Sequence, residues 1–184
     1  MKRLYFGLIA IITFVGFAAL AVADPGTTWD QQINGHGRFK VLHEFGGAAV
    51  LDKETGRVWE QSPSTEVFPW TVLSTPLPGA TAPDAHSHCY QLEVGGRKGW
   101  RLPSIEELAS LVDTPQGSPT TPALPAGHPF NVPPTVHWSS TTNASDASRA
   151  WAVGFASGNV FNPLKTASRE VWCVRGGQGI DGVQ

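Results

Sequence analysis

The chain has 184 residues, with 13 Lys+Arg against 15 Asp+Glu and only 15% charged residues, so it lacks the basic footprint of a nucleic-acid binder. Its 20 glycines and 15 prolines interrupt the chain too often for a helical bundle, a coiled coil or a repeat solenoid. A hydrophobic content of 41% with 10% aromatics is enough for one core and argues against a disordered chain.

The first segment reads as an address. Lys2 and Arg3 precede an apolar run from Leu4 to Val22, and Ala21-Val22-Ala23 forms an A-x-A cleavage site ahead of Asp24-Pro25. Residues 1–23 are expected to be a signal peptide. An uncleaved anchor is the alternative, because the run approaches the length that spans a bilayer. No Cys follows the run, which argues against a lipoprotein anchor. The expected location is the periplasm or the outside of the cell. Residues 24–37 are polar and Gly-rich and read as a flexible leader, with 38–184 as a single domain.

Within that domain, Arg38–Phe45 places Phe39, Val41, His43 and Phe45 on one face at the period of a strand. Ala48–Leu51 and Arg57–Glu60 flank a turn, Asp52-Lys53-Glu54-Thr55-Gly56, and read as a hairpin. Residues 62–80 carry four prolines and Trp70 and read as loop. Thr81 reads as the N-cap of a helix with Pro83 in its first turn, running to about Leu92. Ala85, Cys89 and Leu92 share one face of that helix, so Cys89 points inward. Gly99–Pro103 is a short extended piece. Ser104-Ile105-Glu106-Glu107 is a capping box that opens a second helix, with Ile105, Leu108, Leu111 and Val112 as its apolar stripe. The proline-rich stretch Thr114–Pro134 reads as a long surface loop. Three strand signals follow: His137–Thr142, Ala150–Phe155 with a turn at Ser157-Gly158-Asn159, and Glu170–Arg175. Two helices with several antiparallel strands make an α+β domain.

Cys89 and Cys173 are the only thiols. In an oxidising compartment two cysteines of one domain most often pair. Two buried free thiols, or metal or catalytic use, are the alternatives. A bridge over that span is worth up to about 4–5 kcal/mol in the chain-entropy account.

Five pieces occur in a telling order: VLDKETGRVWEQ (Val50–Gln61), a helix carrying Cys89, GWRLPSIEELASLVD (Gly99–Asp113), HWSSTT (His137–Thr142) followed by AWAVGFASG (Ala150–Gly158), and VWCVRGG (Val171–Gly177). Together they resemble the Lcl C-terminal domain family, exported bacterial domains related in fold to C-type lectins and to formylglycine-generating-enzyme domains. The resemblance implies a C-type-lectin-like fold, with two helices flanking a twisted antiparallel sheet. It also implies that Cys89 bridges to Cys173. It marks Trp59, Trp100, Arg101, Trp138, Ser139, Ser140, Trp151 and Arg175 as a structural signature.

Common catalytic and metal-binding motifs are missing: there is no G-x-S-x-G, H-E-x-x-H, Walker loop or EF-hand spacing. The formylglycine-generating relatives hold copper with two nearby thiols, whereas these two lie far apart. The calcium-binding triplets of true C-type lectins are also absent, so no cofactor or metal is expected. His86 and His88 stand two apart on a helix and diverge, and they read as exposed. Among the seven tryptophans, Trp138, Trp151 and Trp172 lie in strand signals and read as core. Trp70, in a Pro-flanked loop, is the best candidate for exposure. His128, Asn143 and Arg149 complete the candidate ligand-contacting set. The expected function is that of an exported, non-catalytic binding module for a glycan or a cell-envelope protein. Sulfated ligands are disfavoured by the lack of a basic cluster. The rival expectations are a diverged oxidase of the formylglycine-generating type and a structural subunit of the envelope.

Overall fold

The computed structural model describes residues 35–71, 83–113 and 117–176. The segment read as a signal peptide, most of the stretch read as leader, the Thr81 cap and the second half of the loop read at 62–80 lie outside the described residues. The contacts group Ile33–Gln184 as one unit.

The domain begins earlier than its composition suggests. Gly35–Arg38 forms a one-turn helix, α1, that begins inside the stretch read as leader and takes in Arg38. Its Gly35 N–H donates to Ala126 O at 2.8 Å. A Cβ at Gly35 would stand 2.5 Å from His128 N, so only glycine permits this approach. Strand β1 covers only Phe39–Val41. The chain then turns through a 3₁₀ segment, His43–Phe45, that ends at Gly46 with φ 64°. His43 is therefore exposed while Phe45 is buried, which the strand alternation does not anticipate.

The hairpin of β2 (Ala49–Asp52) and β3 (Arg57–Glu60) forms as its turn residues require, with Ala49 opposite Glu60 and Asp52 opposite Arg57. Asp52 ties the turn to α1. Its carboxylate accepts two bonds from the buried Arg38 guanidinium, at 2.9 and 2.7 Å, and one from Thr55 Oγ1 at 2.8 Å. Burial alone would raise the Asp52 carboxyl, but the bonds from Arg38 and Thr55 hold it below its ordinary value.

Strand β4 (Val67–Pro69) lies within the stretch that reads as loop. Helix α2 (Ala85–Gln91) starts at Asp84, three residues after the Thr81 cap read from the sequence. Asp84 Oδ1 accepts from Ser87 N at 2.7 Å, and Ser87 Oγ accepts from Asp84 N at 2.9 Å, a reciprocal capping box. After β5 (Trp100–Arg101) comes α3 (Ile105–Ala109), opened by the expected box between Ser104 and Glu107. Glu107 is also clamped by Arg101 at 2.7 Å and by Arg57 at 2.6 Å. Burial would raise its carboxyl, yet the bonds from Arg101, Ser104 and Arg57 push it down to about 2.

The proline-rich stretch is not a surface loop. Ala123, Leu124, Phe130 and Val132 are buried. Proline forbids a regular ladder but does not forbid burial, provided the remaining amides find partners. They do so at the ends of neighbouring elements: Ala123 N–H donates to Phe155 O at 2.6 Å and Asn131 N–H to Gln61 O at 2.8 Å.

Strands β6 (Val136–Thr142), β7 (Ala150–Gly154), β8 (Asn159–Phe161), β9 (Ser168–Glu170) and β10 (Val174–Arg175) complete the fold. Among the described residues the strands divide into two five-stranded sheets, ordered β1-β2-β3-β10-β5 and β4-β9-β6-β7-β8. All strand pairs are antiparallel except β6 with β9, which is parallel. The domain is α+β, with its strands in two sheets rather than the single sheet that the resemblance implies.

The strand read over Glu170–Arg175 is two strands in different sheets. Between β9 and β10 the chain crosses through Val171-Trp172-Cys173, all three fully buried. Glu60 anchors the crossing: its Oε2 accepts from Cys173 N at 2.7 Å and its carbonyl accepts from Trp172 Nε1 at 2.9 Å. Cys173 is bonded to Cys89 of α2, with the Cα atoms 5.5 Å apart.

Candidate functional site

Strands β7 and β8 form a ribbon at one end of the second sheet, with Ala152 opposite Phe161 and Gly154 opposite Asn159. A bridge between Arg149 and Leu164 extends the ribbon. On it opens a cleft of about 530 Å³, lined by Arg149, Trp151, Val160, Phe161 and Arg169 among others. None of the residues lining it is an acid, a histidine or a cysteine.

Trp151 is half-buried and faces this cleft, so it is not the core residue that its strand signal suggests. The physical reason lies next door. Strand β8 ends the sheet, is only three residues long and is exposed throughout, so it cannot cover an indole. Phe161 is 43% exposed, and its ring stands over Gly154. A Cβ on Gly154 would lie 2.6 Å from Phe161 Cε2, so the glycine is what lets the ring lie there.

Two guanidiniums flank the rings. Arg149 donates from Nε to Asp146 Oδ2 at 3.1 Å and from Nη1 to Asn162 O at 3.0 Å, which fixes its plane at the cleft wall. Asp146 is held below its ordinary value first by hydrogen bonds from Ser148 and then by Arg149. Arg169 donates only to the carbonyl of Ser168 and has no carboxylate partner among the described residues. The arrangement offers aromatic surface for an apolar or sugar face, and N–H donors for oxygen acceptors.

The other candidates serve the scaffold. Trp70 is half-buried rather than exposed. Its Nε1 donates to Ser139 O at 2.7 Å, Lys165 Nζ lies 4.0 Å from its ring centroid, and the His86 ring meets it edge-on at 4.5 Å. His128 Nδ1 accepts from Phe130 N at 3.2 Å, and its ring stacks on Phe130. Asn143 is buried in a turn, its Oδ1 accepting from Ser145 N at 2.9 Å. Of the four, only Arg149 lines the cleft. His86 and His88 are half-buried, not exposed. Strand β4 packs against α2 and supplies Phe68 for His88, with Trp70 just beyond it for His86. Burial lowers both imidazole pKa values.

Apart from the Trp151 side chain, which lines the cleft, the signature residues lie in structural contacts. Trp59 and Trp172 meet edge-to-face at 5.5 Å. Trp100 Nε1 donates to Arg97 O and Trp138 Nε1 to Phe68 O, both at 2.9 Å. Arg101 also reaches Gly176 O at 2.9 Å. Ser139 Oγ donates to Trp151 O at 2.8 Å and Ser140 Oγ to Pro103 O at 3.1 Å, while Arg175 Nε donates to Lys98 O at 2.8 Å.

Sequence reasoning missed Val160, Phe161 and Arg169. The available signal was the Ser157-Gly158 turn, which makes Asn159-Val160-Phe161 the hairpin partner of Ala150–Phe155. Among the described residues no group of three or more His, Cys, Asp or Glu could hold a metal. A family model described as the Lcl C-terminal domain matches residues 48–175. No curated protein and no solved structure matches the chain.

Proposed function

The chain belongs to the Lcl C-terminal domain family, and from that premise we propose that it is an exported, non-catalytic binding module whose β7–β8 cleft takes a glycan or a segment of a cell-envelope protein. We read its fold as C-type-lectin-like, the disulfide tying α2 to the segment before β10 as the family resemblance implies.

The observation that carries this reading is Trp151. Trp59, Trp100, Trp138 and Trp172 are buried in the core, while Trp151 is half-buried and lines the cleft together with Phe161 and two arginines. Tryptophan and arginine dominate binding energy where they share a water-excluding pocket. Two guanidiniums are too few for a densely sulfated chain, which favours a neutral or weakly acidic ligand.

The disulfide supports both export and a non-catalytic role. Bridges persist in oxidising compartments, and a thiolate-based oxidase needs its thiols free. Ala21-Val22-Ala23 supports cleavage of a signal peptide. Among the described residues no helix is long and apolar enough to cross a membrane.

The test is a glycan array together with a pull-down from envelope extract, comparing the protein with Trp151→Ala. We expect the wild type to retain a ligand and the variant to lose it while melting at nearly the same temperature. Failure of the wild type to retain anything, or equal retention by the variant, rejects the reading.

A further inference from the structure

Glu60, at the end of β3, is a buried acid that its surroundings leave half used. The residue is only 5% exposed. Its Oε2 accepts from Cys173 N at 2.7 Å, and its backbone donates to Cys173 O and accepts from Trp172 Nε1. Its Oε1 accepts from no donor among the described residues, yet it is not sealed from solvent. That oxygen opens on a cleft of about 290 Å³ between the end of β3 and the segment that follows α2. An amide at this position would serve the Cys173 N–H equally well and escape the cost of burying a charge. The scaffold therefore accounts for Oε2 and not for the carboxylate.

The cleft offers acceptors. Gln61 spends its Nε2 on Pro129 O at 3.2 Å, which leaves only its Oε1 to offer. The Ser62 hydroxyl and the exposed Glu93 carboxylate line the same cleft. No Lys, Arg or His lines it among the described residues. Lys98 stands 3.7 Å from Glu93 where both are exposed, and Arg97 lies over the Phe45 ring. The far wall is fixed by Gly95, with φ 57°: a Cβ there would stand 2.6 Å from Phe45 O, so glycine lets this segment seat against the 3₁₀ turn.

We propose that this cleft binds a primary alkylammonium group, its N–H donors on Glu60 Oε1 and the Gln61 and Ser62 oxygens, with Glu93 adding negative charge at the rim. The site shares no residue with the β7–β8 cleft and stands whatever that cleft takes. Positive charge follows from a lining of acids and acceptors. The kind of cation follows from the state of one carboxylate. A guanidinium pairs with both oxygens side by side, and Cys173 N already holds Oε2. An ammonium is a compact charge with three donors, for which one open oxygen suffices. Calcium wants about six to eight oxygens, and no three His, Cys, Asp or Glu side chains among the described residues gather to hold a metal. The volume suits a single aminoalkyl chain, whether a lysine side chain or a small free amine.

The full chain, with its disulfide intact, is titrated with butylammonium at pH 8 while the amide signals of Gln61, Ser62 and Gly95 are followed by NMR. We expect saturable shifts there, weaker binding of methylguanidinium, and none of tetramethylammonium, which has no N–H. Val171–Cys173 and Ala48–Ala49, beside Glu60, bring it no titratable side chain, and Glu93 is the other acid of the cleft. Glu60 is raised to about 7, so it ionises and binding strengthens as pH rises through that value; affinity should fall about tenfold from pH 8 to pH 6. Glu60→Gln keeps an acceptor for Cys173 N–H and should lose about tenfold or more at pH 8, together with the pH dependence. If that variant does not fold, the wild-type pH profile decides. Tighter binding of N-acetyl-lysine amide than of butylammonium assigns the site to a lysyl side chain of a partner, and weaker binding to a free amine. Absence of saturable shifts, equal binding of tetramethylammonium, a flat pH profile, full binding by Glu60→Gln, or the same shifts from calcium chloride overturns the proposal. None of these results touches the reading of Trp151, which stands or falls on binding at the β7–β8 cleft.

Discussion

Two buried glutamates show how far surroundings reset one functional group. Glu107 faces Arg101 and Arg57 and is pushed down to about 2. Glu60 has a backbone amide, that of Cys173, and is driven by burial up to about 7. The consequences for stability have opposite sign. Glu107 is depressed in the fold, so its contribution is present above its ordinary 4.5 and lost as pH falls toward 2. Glu60 is raised, so its burial costs nothing below 4.5 and destabilises progressively as pH rises from there through 7. Glu60→Gln keeps an acceptor for Cys173 N–H without the charge. Denaturant titration at pH 8 should find it more stable than wild type by about 1–3 kcal/mol, with the gain gone at pH 4. A variant no more stable at pH 8 would contradict the raised value. Glu107→Gln should show the reverse: a loss at pH 7 that shrinks as the wild type is taken to pH 3.

At the scale of elements, tryptophan position separates scaffold from site. Trp138→Ala and Trp172→Ala empty fully buried volumes and should each cost about 3–5 kcal/mol. Trp151→Ala removes a half-buried ring and should cost about 1 kcal/mol while abolishing binding. Gly154→Ala displaces the Phe161 ring and should weaken binding with little change in melting temperature. Equal destabilisation by all three tryptophan variants would return Trp151 to the core. The sequence alone could not make this distinction. Trp138 and Trp151 carry the same local strand signal, and only the neighbouring strand decides which is covered. The β2–β3 hairpin and the Ser104–Glu107 box were legible because each is settled within a few residues by turn and capping chemistry. The α2 cap was not, since Thr81 and Asp84 are both competent caps and tertiary contacts choose between them. The division of Glu170–Arg175 between two sheets was equally hidden, because a run buried on all sides has no alternation to break.

At the scale of the molecule, the disulfide joins α2 to the crossing segment across a sequence separation of 84 residues. Cys173→Ser should lower stability by about 2–5 kcal/mol. Mass spectrometry of the alkylated, non-reduced protein should find no modified thiol; two would remove the bridge and revive an oxidase. The crossing also sets a timetable. Strand β10 lies between β3 and β5, in the interior of its sheet, yet it is the last strand in sequence order among the described residues. The first sheet therefore has a gap in its middle until Val174 and Arg175 arrive, and neither Trp172 nor Cys173 can take its place before then. A growing chain cannot complete this domain prematurely: ribosome-bound intermediates ending before Val171 should remain protease-sensitive, and protection should appear only once the crossing has emerged. Such an order of events keeps the polypeptide threadable until nearly all of the domain has been made, which suits the proposed export of the chain through a narrow channel before it folds.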